Sequence, residues 1–255
     1  MTLDSYHLPM PARPPRPRTA GLSIITDKGT PLGLLRDTLE SYGEFLDIAK
    51  LGIGAGFIEP RLKEKVALYT EFRVPVYFGG TLFEKFFHAG LLDEYRRLMS
   101  EAGIRMLEVS EGSLPIPLAE RCRLVTEFAR DYTVLAEVGT KDSDAESTPQ
   151  TWIAEIRALL DAGSAYVITE GRDSGSAGIF TKTGELRKDL IEAIASAVPT
   201  SRLIFEAPTE RSQMYFINRI GPDVNLGNVA VHGLLVLEAQ RRGLRYETFQ
   251  LGQRA

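Results

Sequence analysis

Four glutamates occupy matching positions in this chain, each closing a short apolar run: Met106-Leu107-Glu108, Leu135-Ala136-Glu137, Ile168-Thr169-Glu170 and Ile204-Phe205-Glu206. A turn-like segment rich in Gly, Ser or Pro follows each. A carboxylate at the end of a buried strand is costly unless it is paired, hydrogen-bonded or bound to a metal. Four in equivalent places therefore describe either a ring around a cationic or polyvalent ligand or a salt-bridged rim. The set holds no imidazole and no thiolate. Oxygen donors alone favour a hard cation, and Mg²⁺ is the expected one. The histidines, His7, His88 and His232, have no metal-ligand spacing, which argues against zinc.

The elements that must position these residues alternate. Strand patterns at 22–27, 45–50, 74–78, 105–109, 133–138, 165–169, 203–206 and 223–226 are separated by helical patterns. One long helix is expected through Leu98 to Gly103, and another is expected to open at Thr148-Pro149, a cap residue followed by proline. Strands alternating with helices pair in parallel, and eight such units predict a (β/α)8 TIM barrel of α/β class over residues 21–255. The competing open sheet would need a Gly-rich dinucleotide turn after the first strand, but that turn reads Asp27-Lys28-Gly29-Thr30. Residues 1–20, with five prolines and three arginines, predict an extended N-terminal arm, with Tyr6, Leu8 and Met10 available to pack it on the barrel or a neighbouring subunit.

In a barrel, the strand C-termini converge on the catalytic face. Besides the glutamates, these ends carry Lys28, Lys50, Gly79-Gly80, Ser110, Lys141, Arg172, Asn225 and Asn228. The lysines and Arg172 supply charge for an anionic substrate. Lys141 among carboxylates reads equally as a proton donor to carbon or as a solvated loop residue. Two Gly-rich stretches, Arg172-Asp173-Ser174-Gly175 and Asn225-Leu226-Gly227-Asn228, are candidate anion sites at helix starts, or else only tight turns.

Composition narrows the classes. A net charge of −4 offers no basic field for nucleic acid. No apolar stretch reaches the roughly 20 residues needed to span a bilayer, and the start lacks the apolar core of a secretory signal. A single cysteine, Cys122, fits a reducing cytoplasm. Phe83, Phe86, Phe87, Leu91 and Leu92 make one helix apolar enough to suggest a homo-oligomer.

The order of Asp27-Lys28-Gly29, Lys50-Leu51-Gly52, Gly79-Gly80-Thr81-Leu82-Phe83-Glu84, Glu108-Val109-Ser110-Glu111-Gly112, Glu137-Val138-Gly139-Thr140-Lys141, Arg172-Asp173-Ser174-Gly175, Phe205-Glu206-Ala207-Pro208 and Val224-Asn225-Leu226-Gly227-Asn228 resembles the phosphosulfolactate synthase family over about residues 20–250. The resemblance implies a Mg²⁺-dependent lyase that adds sulfite to phosphoenolpyruvate, in a pathway to coenzyme M or to sulfolactate. It implies Lys141 as the catalytic lysine; Lys28 and Lys50, at strand ends beside the carboxylates, are further catalytic candidates. From the reading of the strand ends, Arg172, Ser174, Gly175, Asn225, Gly227, Asn228 and Ser110 are the expected substrate contacts. Among the glutamates, Glu137 and Glu170 are the expected metal ligands, then Glu108, with Glu206 orienting a lysine or arginine. Where the family usually has Asp after the fourth strand, this chain has Glu111. A related barrel enzyme using another nucleophile, and a non-catalytic stress-associated barrel, are the alternatives.

Overall fold

The computed structural model describes residues 8–139, 148–171 and 177–251. Eight parallel strands, β1 (Ser23–Asp27), β2 (Ile48–Leu51), β3 (Val76–Phe78), β4 (Met106–Val109), β5 (Thr133–Val138), β6 (Tyr166–Thr169), β7 (Leu203–Glu206) and β8 (Leu226–Ala230), form a TIM barrel. Hydrogen-bonded neighbours run β3-β2-β1-β8-β7-β6-β5-β4. Among the described residues the ladder is open only between β3 and β4, which still lie side by side.

The helices sheathing the ring are α1 (Leu32–Tyr42), α2 (Ala55–Ile58), α3 (Leu62–Glu71), α4 (Gly80–His88), α5 (Leu92–Ala102), α6 (Leu118–Phe128), α7 (Pro149–Asp161), α8 (Lys188–Ala197), α9 (Glu210–Ile220) and α10 (Leu234–Arg241). Local chemistry sets their ends. Thr148 caps α7 by accepting from Thr151 N, with Pro149 at the first position. The expected long helix is instead two, α4 and α5. Gly90 sits between them at φ +70, in the left-handed region that glycine enters without cost, and the chain turns there.

Strand period explains how a polar site sits on an apolar barrel. Side chains alternate faces, so residues i and i+2 both point at the axis. The lower inward layer is Ile24, Ile48, Tyr77, Met106, Leu135, Ile168 and Ile204, a closed apolar plug. Two residues further along each strand come Thr26, Lys50, Gly79, Glu108, Glu137, Glu170 and Glu206, all lining one cavity. The outward residues, among them Ile25, Ala49, Phe78, Leu107, Ala136, Val167 and Phe205, pack under the helices in the main core. Each large apolar side chain so buried contributes about 1.5–3 kcal/mol.

β8 corrects its predicted bounds. The expected strand at 223–226 begins three residues and ends four residues too early, because Gly227-Asn228 reads as a turn yet belongs to the strand. The β1–β8 register shifts there, and Asn228 takes φ +55. This is a bulge, with Asn in the left-handed conformation it tolerates better than most residues.

Residues 8–20 hold no helix or strand and lie against the N-terminal rim of the barrel. Their anchors among the described residues are arginines; of the apolar residues expected to pack, Leu8 is 57% exposed, Met10 is half-buried and Tyr6 lies outside the described residues. Arg18 reaches both Asp47 oxygens at 3.1 Å, Arg13 pairs with Glu238 at 3.2 Å, and Arg16 donates to the carbonyl of Gly43 at 2.7 Å. The phenylalanines of α4 serve the chain's own core: Phe83 is fully buried against Tyr95 and Phe128. Among the described residues no helix is long and apolar enough to cross a membrane.

Candidate active site

The upper inward layer opens into a cavity of about 250 Å³ at the C-terminal face, lined by Thr26, Lys50, Gly79, Gly80, Ser113, the four glutamates and Asn228, among others. Lys50 stands at its centre. Its Nζ donates to Glu206 Oε1 at 2.9 Å and lies 3.4 Å from Glu108 Oε2. Burial opposes the ammonium, but Glu108 and Glu206 outweigh it and hold Lys50 well above the ordinary lysine value.

Each glutamate is held differently. Glu108 Oε1 accepts the Gly80 N–H at 2.7 Å, so it caps the start of α4 where the helix dipole favours an anion. Gly80 must be glycine, since a Cβ there would overlap Ser110 Oγ and Glu108 Oε1. Glu206 splits its oxygens between Lys50 and the Gly171 N–H, the latter at 2.9 Å. Burial raises its pKa, with Lys50 pulling the other way. Glu137 is driven well above the carboxylate range by burial, then by Glu170, Glu108 and Glu206, and its buried Oε1 has no hydrogen-bond partner among the described residues.

Glu137, Glu170 and Glu206 offer oxygens within 4.8 Å of one another. This changes the expected order. Glu206 joins the group able to share a cation as well as holding Lys50, whereas Glu108 stands outside it, with Oε1 bonded to Gly80 N–H and Oε2 3.4 Å from Lys50.

Other expected contacts are redistributed. Ser110 does not face the cavity: it is fully buried and its hydroxyl donates to Glu84. Asn225 is corrected more firmly. It precedes β8, at the opposite end of the barrel, where Oδ1 accepts from Leu22 N at 3.0 Å and Nδ2 donates to the carbonyls of Leu203 and Ser201. Its amide is spent on backbone. Gly227 lies within β8 beside Glu206, not at a helix start, and Asn228 does line the cavity. Lys28 is exposed beyond β1 and does not line the cavity. Lys141, Arg172, Ser174 and Gly175 lie outside the described residues.

Two supporting residues, Glu84 and Arg121, escape a reading of the sequence, and a third, Asp27, is legible as a strand end but its partners are not. Buried Glu84 in α4 accepts the N–H groups of Gly112 and Ser113 at 2.8 Å each, pinning the loop after β4. Buried Arg121 in α6 pairs with Glu111 at 2.9 Å and Glu155 at 2.8 Å, and it donates to the Glu137 carbonyl at 3.3 Å. Glu111 is thereby turned to Arg121. Asp27 accepts from Gly29 and Thr30 N–H and from the Tyr69 hydroxyl, with Lys65 3.4 Å away. Glu84 and Arg121, charged residues inside helices, carry the usual signal of a solvated face, so only the fold distinguishes them.

Comparison with known proteins places this barrel. Against solved structures, the YdjI aldolase from Escherichia coli K12 superposes with a TM-score of 0.55 at 12% identity, covering 88% of this chain and 86% of that one; this is a likeness of fold. Sequence similarity goes further. Phosphosulfolactate synthase of Bacillus subtilis is 36% identical over 252 residues, 98% of this chain and 100% of the relative. Phosphosulfolactate synthase of Methanothermobacter thermautotrophicus is 38% identical over 253 residues, 96% of this chain and 98% of the relative. The family model described as (2R)-phospho-3-sulfolactate synthase (ComA) matches residues 11–247. The chain belongs to the (2R)-phospho-3-sulfolactate synthase family and is a lyase-type enzyme.

Proposed function

We propose that this chain catalyses the Mg²⁺-dependent addition of sulfite to phosphoenolpyruvate, giving (2R)-phospho-3-sulfolactate. The observation that carries the reading is the juxtaposition, in one cavity, of three carboxylates within 4.8 Å of one another and a charged lysine. Residues and ion fit. The donors are all oxygen, they are buried, and Glu137 Oε1 keeps an unused lone pair that a hard cation would satisfy. Glu137, Glu170 and Glu206 would hold Mg²⁺, which when bound supplies Lewis-acid stabilisation for charge developing on the substrate carboxylate.

The remaining work falls to the chain. In the proposed reaction the sulfur lone pair of sulfite forms a bond to the methylene carbon of phosphoenolpyruvate. The electron pair of the double bond moves onto the adjacent carbon and its carboxylate, and that carbon then takes a proton. Lys50 is held charged by Glu108 and Glu206, which makes it a weak acid but a fixed positive group facing the developing anion. A general acid works best with a pKa near the working pH. The proton is therefore assigned to Lys141, as the family resemblance implies, and Lys50 is assigned to electrostatic stabilisation.

The test is turnover by the purified protein, followed by phosphorus NMR. Phosphoenolpyruvate, sulfite and Mg²⁺ should yield a new phosphate ester, lost on adding chelator and lost in K141A. No product with sulfite, but consumption of phosphoenolpyruvate with another nucleophile in a panel, would move the assignment to a related barrel enzyme. No consumption with any nucleophile would favour the non-catalytic reading.

A further inference from the structure

The cavity is polarised around its rim. The adjacent strands β4, β5, β6 and β7 supply Glu108, Glu137, Glu170 and Glu206. The other arc, β8, β1, β2 and β3, supplies Asn228, Thr26, Lys50 and Gly79, with no carboxylate among these four. An anion entering the cavity is repelled by the first arc wherever no cation intervenes. The second arc is where it finds donors.

On that arc Thr26 Oγ1 donates to Asn228 Oδ1 at 2.7 Å. A carboxamide carries its acceptor and its two donors on opposite corners, so occupying Oδ1 turns Nδ2 away from Thr26. The reverse orientation would aim a carbonyl dipole into a space already holding four carboxylates. Both partners are held in place. Asn228 is fixed by the β8 bulge at φ +55, and the Thr26 methyl lies against Gly52, where an added Cβ would come within 2.5 Å of it. Lys50, on the same arc, donates to Glu206 at 2.9 Å and lies 3.4 Å from Glu108 Oε2, so its ammonium is the positive charge that an anion meets there.

We propose that Thr26 is a positioning residue that presents the Nδ2 donors of Asn228, beside the ammonium of Lys50, to the phosphate group of the substrate. The inference rests on the proposed function and deepens it, assigning the phosphate to the β8–β1–β2 side of the cavity. The carboxylate end of the substrate then faces the glutamates.

The experiment is steady-state kinetics of T26V, T26S, N228A and the T26V/N228A double variant, with inhibition by inorganic phosphate and by pyruvate measured on each. Thr26→Val keeps the shape and removes the donor. It should raise KM for phosphoenolpyruvate about tenfold, the worth of one oriented hydrogen bond to a charged group, with kcat within about twofold. Thr26→Ser should recover most of the loss. T26V should weaken inhibition by phosphate and leave inhibition by pyruvate, which lacks the phosphate, unchanged. Because Thr26 acts through Asn228, T26V should add nothing in the N228A background. Additive effects, an unchanged KM in T26V, or loss of pyruvate inhibition in place of phosphate inhibition would each overturn the assignment. A wild-type protein that turns over no phosphoenolpyruvate would overturn the proposed function and this inference with it, a result distinct from wild-type turnover with T26V unaltered.

Discussion

Replacing Lys50 by methionine removes the cation at the centre of the glutamate ring while keeping most of its length. At 2.9 Å from Glu206 and 3.4 Å from Glu108, an effective dielectric near 20 gives attractions of about 6 and about 5 kcal/mol. The lysine's own desolvation offsets much of that, since only 12% of its side chain is exposed. What remains is the cost of leaving two buried carboxylates without a counter-charge, about 3–5 kcal/mol. Protonation relieves it. Glu206 is already raised by burial, and losing Lys50 raises it further, so the folded variant binds a proton more tightly than the unfolded chain does. The destabilisation should therefore be largest at about pH 8 and shrink towards about pH 5.5. Urea unfolding of wild type and K50M at both pH values reads this directly. A loss below about 1 kcal/mol at both would refute the picture of Lys50 as the counter-charge of a buried ring.

Three further outcomes follow from the same geometry. With chelator present, thermal stability should fall as pH rises through the raised Glu137 value, because the folded state holds that proton more tightly than the unfolded chain; the increment from Mg²⁺ should then grow with pH in calorimetric scans, and an increment equal at every pH would exclude exchange of proton for cation. Asp27 behaves oppositely: burial pushes its pKa up, but the Gly29 and Thr30 N–H groups and Lys65 bring it below the usual value, so its stabilisation is present above the ordinary carboxylate range and lost as pH falls through the lowered value, and D27N should cost about 3 kcal/mol near neutrality by urea unfolding. Gly80→Ala forces a Cβ onto Glu108 and Ser110 and should cost about 1–3 kcal/mol by the same measurement, with turnover reduced in parallel; a neutral result would mean α4 moves freely.

The glutamates were legible because strand period is strict: an apolar residue at i and a carboxylate at i+2 recur on four strands, and the barrel turns that pattern into an apolar floor beneath a charged ring. Lys50 fits the same rule after Ile48. Asn225 and Asn228 show where the rule fails. A bulge inserts one residue, reverses which side chain faces the axis, and leaves no mark that distinguishes it from a turn. Glu84 and Arg121 were illegible for another reason. Their partners are loops and strand ends brought near only by the fold, so along the chain they look like solvent-facing charges on amphipathic helices. The division of labour among the glutamates likewise depends on neighbours: the Gly80 N–H withdraws Glu108 from the cluster, and proximity to Glu137 and Glu170 draws Glu206 in.

The central claim is that Glu137, Glu170 and Glu206 form a cation site against which phosphoenolpyruvate binds. Its most direct test is the thermal stability of wild type and E170Q titrated with phosphoenolpyruvate, with and without Mg²⁺. Wild type should gain about 2.7 kcal/mol at phosphoenolpyruvate concentrations about 100-fold above Kd, only when Mg²⁺ is present, and E170Q should lose most of that gain. Stabilisation by phosphoenolpyruvate that is indifferent to Mg²⁺, or equal in E170Q, would contradict the account.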